Sequence, residues 1–108
     1  MSKYDLDKVI HERARLLILI NLASNNKQQI SFNELKEDLD LTAGNLSVQL
    51  TNLEQAGYIV IQKSFQNKKP VTNVSLTPEG LAALKQYMLA MEELIDTFNT
   101  STRSEGRK

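Results

Sequence analysis

The chain has 108 residues, 41% of them hydrophobic, and its thirteen basic and thirteen acidic side chains sum to a formal net charge of zero. That is the size of one domain with one modest core. The lack of cysteine excludes a disulfide framework, a thiolate metal site and a cysteine nucleophile, and no window approaches the ~18 consecutive apolar residues of a membrane span.

The opening MSKYDLDKVIHERAR is too charged for a secretory signal, so a cytoplasmic location is expected. Residues 5–25, DLDKVIHERARLLILINLASN, set Leu6, Val9, Ile10, Leu16, Leu17 and Ile20 at helical spacings with Asn25 and Asn26 as a stop, which predicts a first helix. Residues 16–20 are apolar at five successive positions, so hydrophobic groups point all round that helix. It must be covered on more than one side, by the chain's own elements or by a partner. His11, the only histidine, stands four residues from Asp7 and from Arg15 and has no nucleophile or second metal ligand beside it, so a structural role is expected.

Gln29 and Ile30 form a short β-like piece before Ser31-Phe32-Asn33-Glu34, the pattern of a capping box. A second helix follows, with Phe32, Leu35 and Leu39 inward and Lys36, Glu37 and Asp38 outward. After the break at Asp40-Leu41, Thr42 caps a third helix that Gly57 ends. Two short helices joined this closely make a helix-turn-helix. On the third helix Leu46, Leu50 and Leu53 fall within about 60° of one another and face the core, with Gln49 at their edge. Gly44, Val48, Thr51 and Gln55 point the other way, flanked by Asn45, Ser47 and Asn52. A solvated helix normally carries several charges, yet this one has only Glu54. Small uncharged donors and acceptors suit a surface lying against something, and in a major groove Asn45 and Ser47 would meet base edges while Val48 and the Thr51 methyl meet thymine methyls.

Tyr58-Ile59-Val60-Ile61-Gln62 and Val71-Thr72-Asn73-Val74-Ser75-Leu76 read as strands, with residues 66–70 as the turn of a hairpin. Thr77-Pro78-Glu79 starts a long fourth helix. Its apolar residues Leu81, Leu84, Met88, Met91, Ile95 and Phe98 are spaced 3, 4, 3, 4, 3, a heptad stripe that either packs onto the first helix of the same chain or forms a dimer seam. The tail from Thr100, TSTRSEGRK, has no apolar residue, and disorder is expected over 101–108.

Neutrality is a sum of segregated patches. Residues 63–76 hold Lys63, Lys68 and Lys69 and no acid, while residues 31–41 and 77–102 are each net −3. A lysine-bearing hairpin beside a recognition helix overhangs a phosphate backbone or a minor groove, and two copies with three lysines each would give a logarithmic salt slope near −5.

GNLSVQLTNLEQAGYI, the hairpin KSFQNKKPVTNVSL and then LTPEG resemble, in this order, the winged-helix DNA-binding domains of short MarR-like transcriptional regulators, and the likeness spans residues 8–98. The resemblance implies a recognition helix over 42–55 and a wing tip over 65–70. At Val48, Thr51 and Asn52, where such proteins often carry basic or long polar groups, this chain has none, which shifts electrostatic contacts to the wing, the amino-terminal helix and the tail. The expected fold is mostly α (α+β): a winged helix-turn-helix with a three-helix core, a small antiparallel wing and a long C-terminal helix, in one domain over 1–100 with N- and C-terminal dimerisation helices.

The expected function is a homodimeric, sequence-specific regulator bound to double-stranded DNA, its twofold axis matched by a palindromic operator. The expected DNA contacts are Thr42, Gly44, Asn45, Ser47, Val48, Thr51 and Asn52 on the helix and Lys63, Gln66, Asn67, Lys68 and Lys69 on the wing. Leu6, Ile10, Leu17, Leu84, Met88, Met91, Ile95 and Phe98 are the expected dimer contacts. No glycine-rich phosphate loop or paired carboxylates support an enzyme, and no cofactor, metal or membrane partner is expected. A small apolar effector has room between the first and fourth helices, at positions that dimer burial explains equally well. The alternative is a winged-helix module that binds another protein and not DNA.

Overall fold

The computed structural model describes residues 5–25 and 28–106. Four helices and three strands follow in the order α1 (Arg13–Ser24), β1 (Ile30–Ser31), α2 (Phe32–Asp38), α3 (Ala43–Gln55), β2 (Ile59–Gln66), β3 (Lys69–Leu76) and α4 (Pro78–Gly106). The strands form one antiparallel sheet in the order β1-β3-β2, with Ile30 opposite Val74 and Ile59 opposite Leu76. Ile18 and Leu19 of α1, Leu35 of α2, Leu46 and Leu53 of α3 and Ile30 and Val74 of the sheet are buried together as the centre of the core. This is the winged helix-turn-helix expected from the sequence.

The first helix begins later than its periodicity predicts. Residues 5–12 stay non-helical, with a turn over 8–10, because two carboxylates compete with the helix for backbone donors. Asp7 Oδ1 accepts from the Val9 and Ile10 amides at 2.8 and 3.2 Å, and Glu12, with extended backbone, caps α1 by accepting from Ala14 at 2.7 Å. The turn is pinned to the body at both ends. Tyr58 donates its phenol to Asp7 Oδ2 at 2.5 Å, and His11 Nδ1 lies 2.8 Å from the hydroxyl of buried Tyr87. The bond to Asp7, burial and the charge of Asp7 together push the Tyr58 pKa up to about 12, which keeps the phenol protonated as the donor. His11 thus has the structural role expected of it.

The turn tucks Ile10 wholly inside the core. α1 itself is wrapped by α3, β3 and α4, so its all-round hydrophobicity is answered chiefly within one chain. Asn25 ends α1, and Asn26 lies outside the described residues.

The helix-turn-helix is set by caps. Ser31 accepts from the Glu34 amide and Thr42 from the Asn45 amide, each at 3.1 Å. Both helices then close with Schellman turns. Leu41 donates to Lys36 O and Asp40 to Glu37 O after α2, and Tyr58 donates to Leu53 O and Gly57 to Glu54 O after α3. Gly57 takes the left-handed conformation such a turn needs, at φ 82.

The start of α4 is locked to the end of α3. The Thr77 hydroxyl donates to Gly57 O at 2.7 Å and accepts from the Gly80 amide at 2.9 Å. Gly80 packs so tightly that a Cβ there would lie 2.1 Å from Tyr58 O.

The expectation of a disordered tail is corrected over 101–106, since α4 runs to Gly106; residues 107 and 108 lie outside the described residues. No proline interrupts the segment, adding a residue to an existing helix is cheap, and Thr102 returns its hydroxyl to Phe98 O at 2.9 Å. At 29 residues the helix is about 43 Å long.

Candidate nucleic-acid interface

α3 turns its leucines inward and leaves Thr42, Gly44, Asn45, Ser47, Val48 and Thr51 exposed, with Asn52 half-buried. Val48 is 57% exposed, a large apolar group held in water by the fold. The polar groups of this face are partly committed. Arg15 of α1 donates from Nε to Val9 O at 2.6 Å and from Nη1 to Gln49 Oε1 at 2.8 Å, and Gln49 Nε2 donates to Asn45 Oδ1 at 3.0 Å. This relay ties the outer amide of α3 to the body and leaves the two N–H donors of Asn45 outside it. Thr51 gives its hydroxyl proton to Ser47 O at 3.0 Å, so it offers a methyl group and an oxygen lone pair rather than a donor.

The wing is longer and tighter than the sequence suggests. β2 and β3 pair in register from Ile59 and Leu76 to Gln66 and Lys69, and only Asn67 and Lys68 turn the chain, at φ 51 and 64. Positive φ at both positions is the signature of a type I′ turn, whose twist matches that of the strands. The expected five-residue turn, 66–70, is therefore corrected to two residues. Lys63 and Lys69 lie in strands, and Lys68 alone occupies the tip.

Alternation along paired strands sorts the side chains. Lys63 and Thr72 face each other across the ladder two residues beyond Ile61 and Val74, on the face that covers the core. Lys69 and Gln66 are on the opposite face. An open groove of about 420 Å³ between wing and helix is lined by Phe32, Ser47, Leu50, Thr51, Ile61, Lys63 and Thr72. Lys63 thus closes on α3, whereas Lys69 looks away from it.

Lysine in the left-handed region costs about 1 kcal/mol relative to glycine. Lys68→Gly is expected to raise the unfolding free energy by roughly 0.5–1 kcal/mol in urea denaturation. An unchanged or lowered value would argue against the type I′ turn.

Among the expected dimer contacts, Ile10 and Leu84 are corrected, since both are buried in the core of one chain, 0% and 5% exposed. Leu6, Met88 and Met91 are half-buried against the same core, and Leu17 is half-buried on α1. The heptad stripe therefore divides. Leu84, Met88 and Met91 pack within the chain, and beyond Met91 no described side chain of α4 belongs to the core, leaving Ile95 and Phe98 51% and 64% exposed. Leu89, off the stripe and 57% exposed, escaped the heptad pattern. The space expected for an apolar effector is an open groove of about 840 Å³ between residues 5–9 and α4, and its wall mixes Asp5, Asp7, Lys8 and Glu93 with Leu6, Val9 and Leu89.

Sequence reasoning missed the Arg15 relay and the exposure of Phe65 in the wing. Gln49 at the edge of the leucine face was a signal for the first, but its partner lies 34 residues away. Among the described residues, no group of three histidines or carboxylates could hold a metal ion, and no helix is long and apolar enough to cross a membrane.

A family model described as a winged helix DNA-binding domain matches residues 14–95. An uncharacterized protein of Methanocaldococcus jannaschii is 33% identical over 87 residues, covering 81% of this chain and 92% of that protein. The structure of a transcriptional regulator homologue from Pyrococcus horikoshii superposes with a TM-score of 0.78 at 27% identity, over 84% of this chain and 88% of the other. A protein described as a MarR-family transcriptional regulator from Enterococcus faecalis shares the fold, with a TM-score of 0.65 and 24% identity over 93% of this chain and 84% of that one.

Proposed function

Because the chain belongs to the winged helix DNA-binding domain family, we propose that it is a sequence-specific transcriptional regulator of the MarR type. It acts as a homodimer on double-stranded DNA, with α3 in the major groove and the wing on phosphates and the adjacent minor groove. One observation carries the reading. An uncharged, exposed helix face stands beside a hairpin with three lysines and no acid, across a groove that Lys63 and Ser47 both line. Division of labour follows from that arrangement. Asn45, Ser47, Val48 and Thr51 discriminate bases, Thr42, Gly44 and Asn52 border the contact, and Lys63, Gln66, Asn67, Lys68 and Lys69 hold the backbone.

The test is selection of duplexes from a random pool by the intact chain. A palindromic consensus whose half-sites lie about one DNA turn apart, ~34 Å, is the expected outcome. Recovery of no duplex even at low salt, together with a protein captured on α3, would sink the DNA reading in favour of a protein-binding module.

The dimer is supported by the distal half of α4. Ile95 and Phe98 are exposed on a helix that has left its own core behind, and apolar surface of that kind favours burial against a second chain. Leu6, Leu17, Met88 and Met91, half-buried within one chain, are the further candidates for that contact. The double variant Ile95→Glu, Phe98→Glu is expected to sediment at half the mass of the unmodified chain with its helical circular dichroism retained. An unchanged mass would place the interface elsewhere.

A further inference from the structure

Phe65 is 76% exposed, more than any other large apolar residue described, and it stands at the far end of the wing. It contributes nothing to the core, and leaving a phenyl ring in water forgoes about 1.5–3 kcal/mol of burial. Its cross-strand partner is Pro70, so ring and pyrrolidine share one face. Lys63 and Thr72, the next pair on that face, line the groove against α3, and the apolar tip therefore projects on the α3 side of the wing. Lys68 caps the turn and Lys69 lies on the opposite face. The result is an apolar point with cations before, beyond and behind it.

A minor groove offers the complement: two phosphate rows flank a slot whose walls are sugars and whose floor is a stack of bases. An apolar side chain pressed into that slot partly unstacks a step and bends the duplex, and pyrimidine–purine steps yield most easily. We propose, resting on the DNA-binding reading above, that Phe65 is a wedge, backed by Pro70, which enters the minor groove beside the major groove that α3 occupies and bends the DNA at a flexible step. The lysines on both faces make duplex DNA a better match than an apolar protein surface, which would leave three charges unpaired.

The probe is a duplex of about 30 base pairs, selected from a random pool by the intact chain and labelled at its two ends for energy transfer. Binding by the intact chain is expected to raise end-to-end transfer. Phe65→Ala is expected to return transfer to the free-duplex value and weaken binding about tenfold. Its salt slope stays unchanged because a phenyl ring neutralises no phosphate. Phe65→Trp restores both bend and affinity. Unchanged transfer in Phe65→Ala overturns the wedge, whether or not affinity falls, and so does a lowered melting temperature, which would give the ring a part in the fold. Recovery of no duplex by the intact chain overturns the DNA reading itself, and the wedge with it.

Discussion

Gly80→Ala is expected to lower the unfolding free energy by about 2–3 kcal/mol, which for a domain of this size lowers the melting temperature by roughly 10–20 °C. The first turn of α4 lies directly on the chain that leaves α3. An alanine methyl would sit 2.1 Å from the Tyr58 carbonyl oxygen and 2.9 Å from a Leu76 methyl. The first of these neighbours is backbone, held by the Thr77 amide, and cannot rotate away as a side chain end could. The helix must lift, and with it go the two Thr77 hydroxyl bonds that fasten α4 to Gly57. Thermal unfolding followed by circular dichroism reads the effect. A shift under about 3 °C would mean that the contact relaxes at little cost and that α4 is not seated as described. Gly44→Ala is the internal control, because a Cβ there meets nothing within 4 Å.

Replacing Lys63, Lys68 and Lys69 together by alanine is expected to cut duplex affinity at least ~100-fold near 0.1 M salt and to reduce the magnitude of the logarithmic salt slope by about 5. Each lysine that meets a phosphate releases counterions, and a dimer would lose six such contacts. The fold does not depend on them, since all three side chains are exposed and none belongs to the core. α3 cannot take their place, because among residues 42–55 only Glu54 is charged. Fluorescence anisotropy across a salt series separates the two parts of the interface. An unchanged slope would show that the cations reside elsewhere, with Lys8, Arg13 and Arg103 as the next to examine. Val48→Ala is expected to act differently, altering the preferred sequence with the slope intact.

Much of this was readable along the chain. Leu46, Leu50 and Leu53 recur at helical spacing, so the inner and outer faces of α3 were legible before any coordinates. Ser31, Thr42 and Thr77 accept from amides three residues on and Gly57 closes the helix before it, so these helix ends followed from local sequence. Where local groups compete for the same donors the reading failed. Periodicity ran the first helix through Asp7 and Glu12, whose carboxylates instead hold a turn and cap the later start of α1, and a lysine at a left-handed position hid the two-residue turn that lengthens the wing.

The sequence by itself determined the element types, the caps, the apolar faces and the gathering of lysines between two strands. All of these depend on neighbours within about one or two turns of chain. Tertiary structure alone decided which apolar residues remain for a partner, because Leu84 falls on the same heptad stripe as Ile95 and Phe98, and only packing separates the buried residue from the exposed pair. It likewise decided that Arg15 holds Gln49, that Lys63 and Lys69 face opposite ways, and that Phe65 stands clear of the core. Strand register and helix packing fix those placements, and both are set by contacts between residues far apart in the chain.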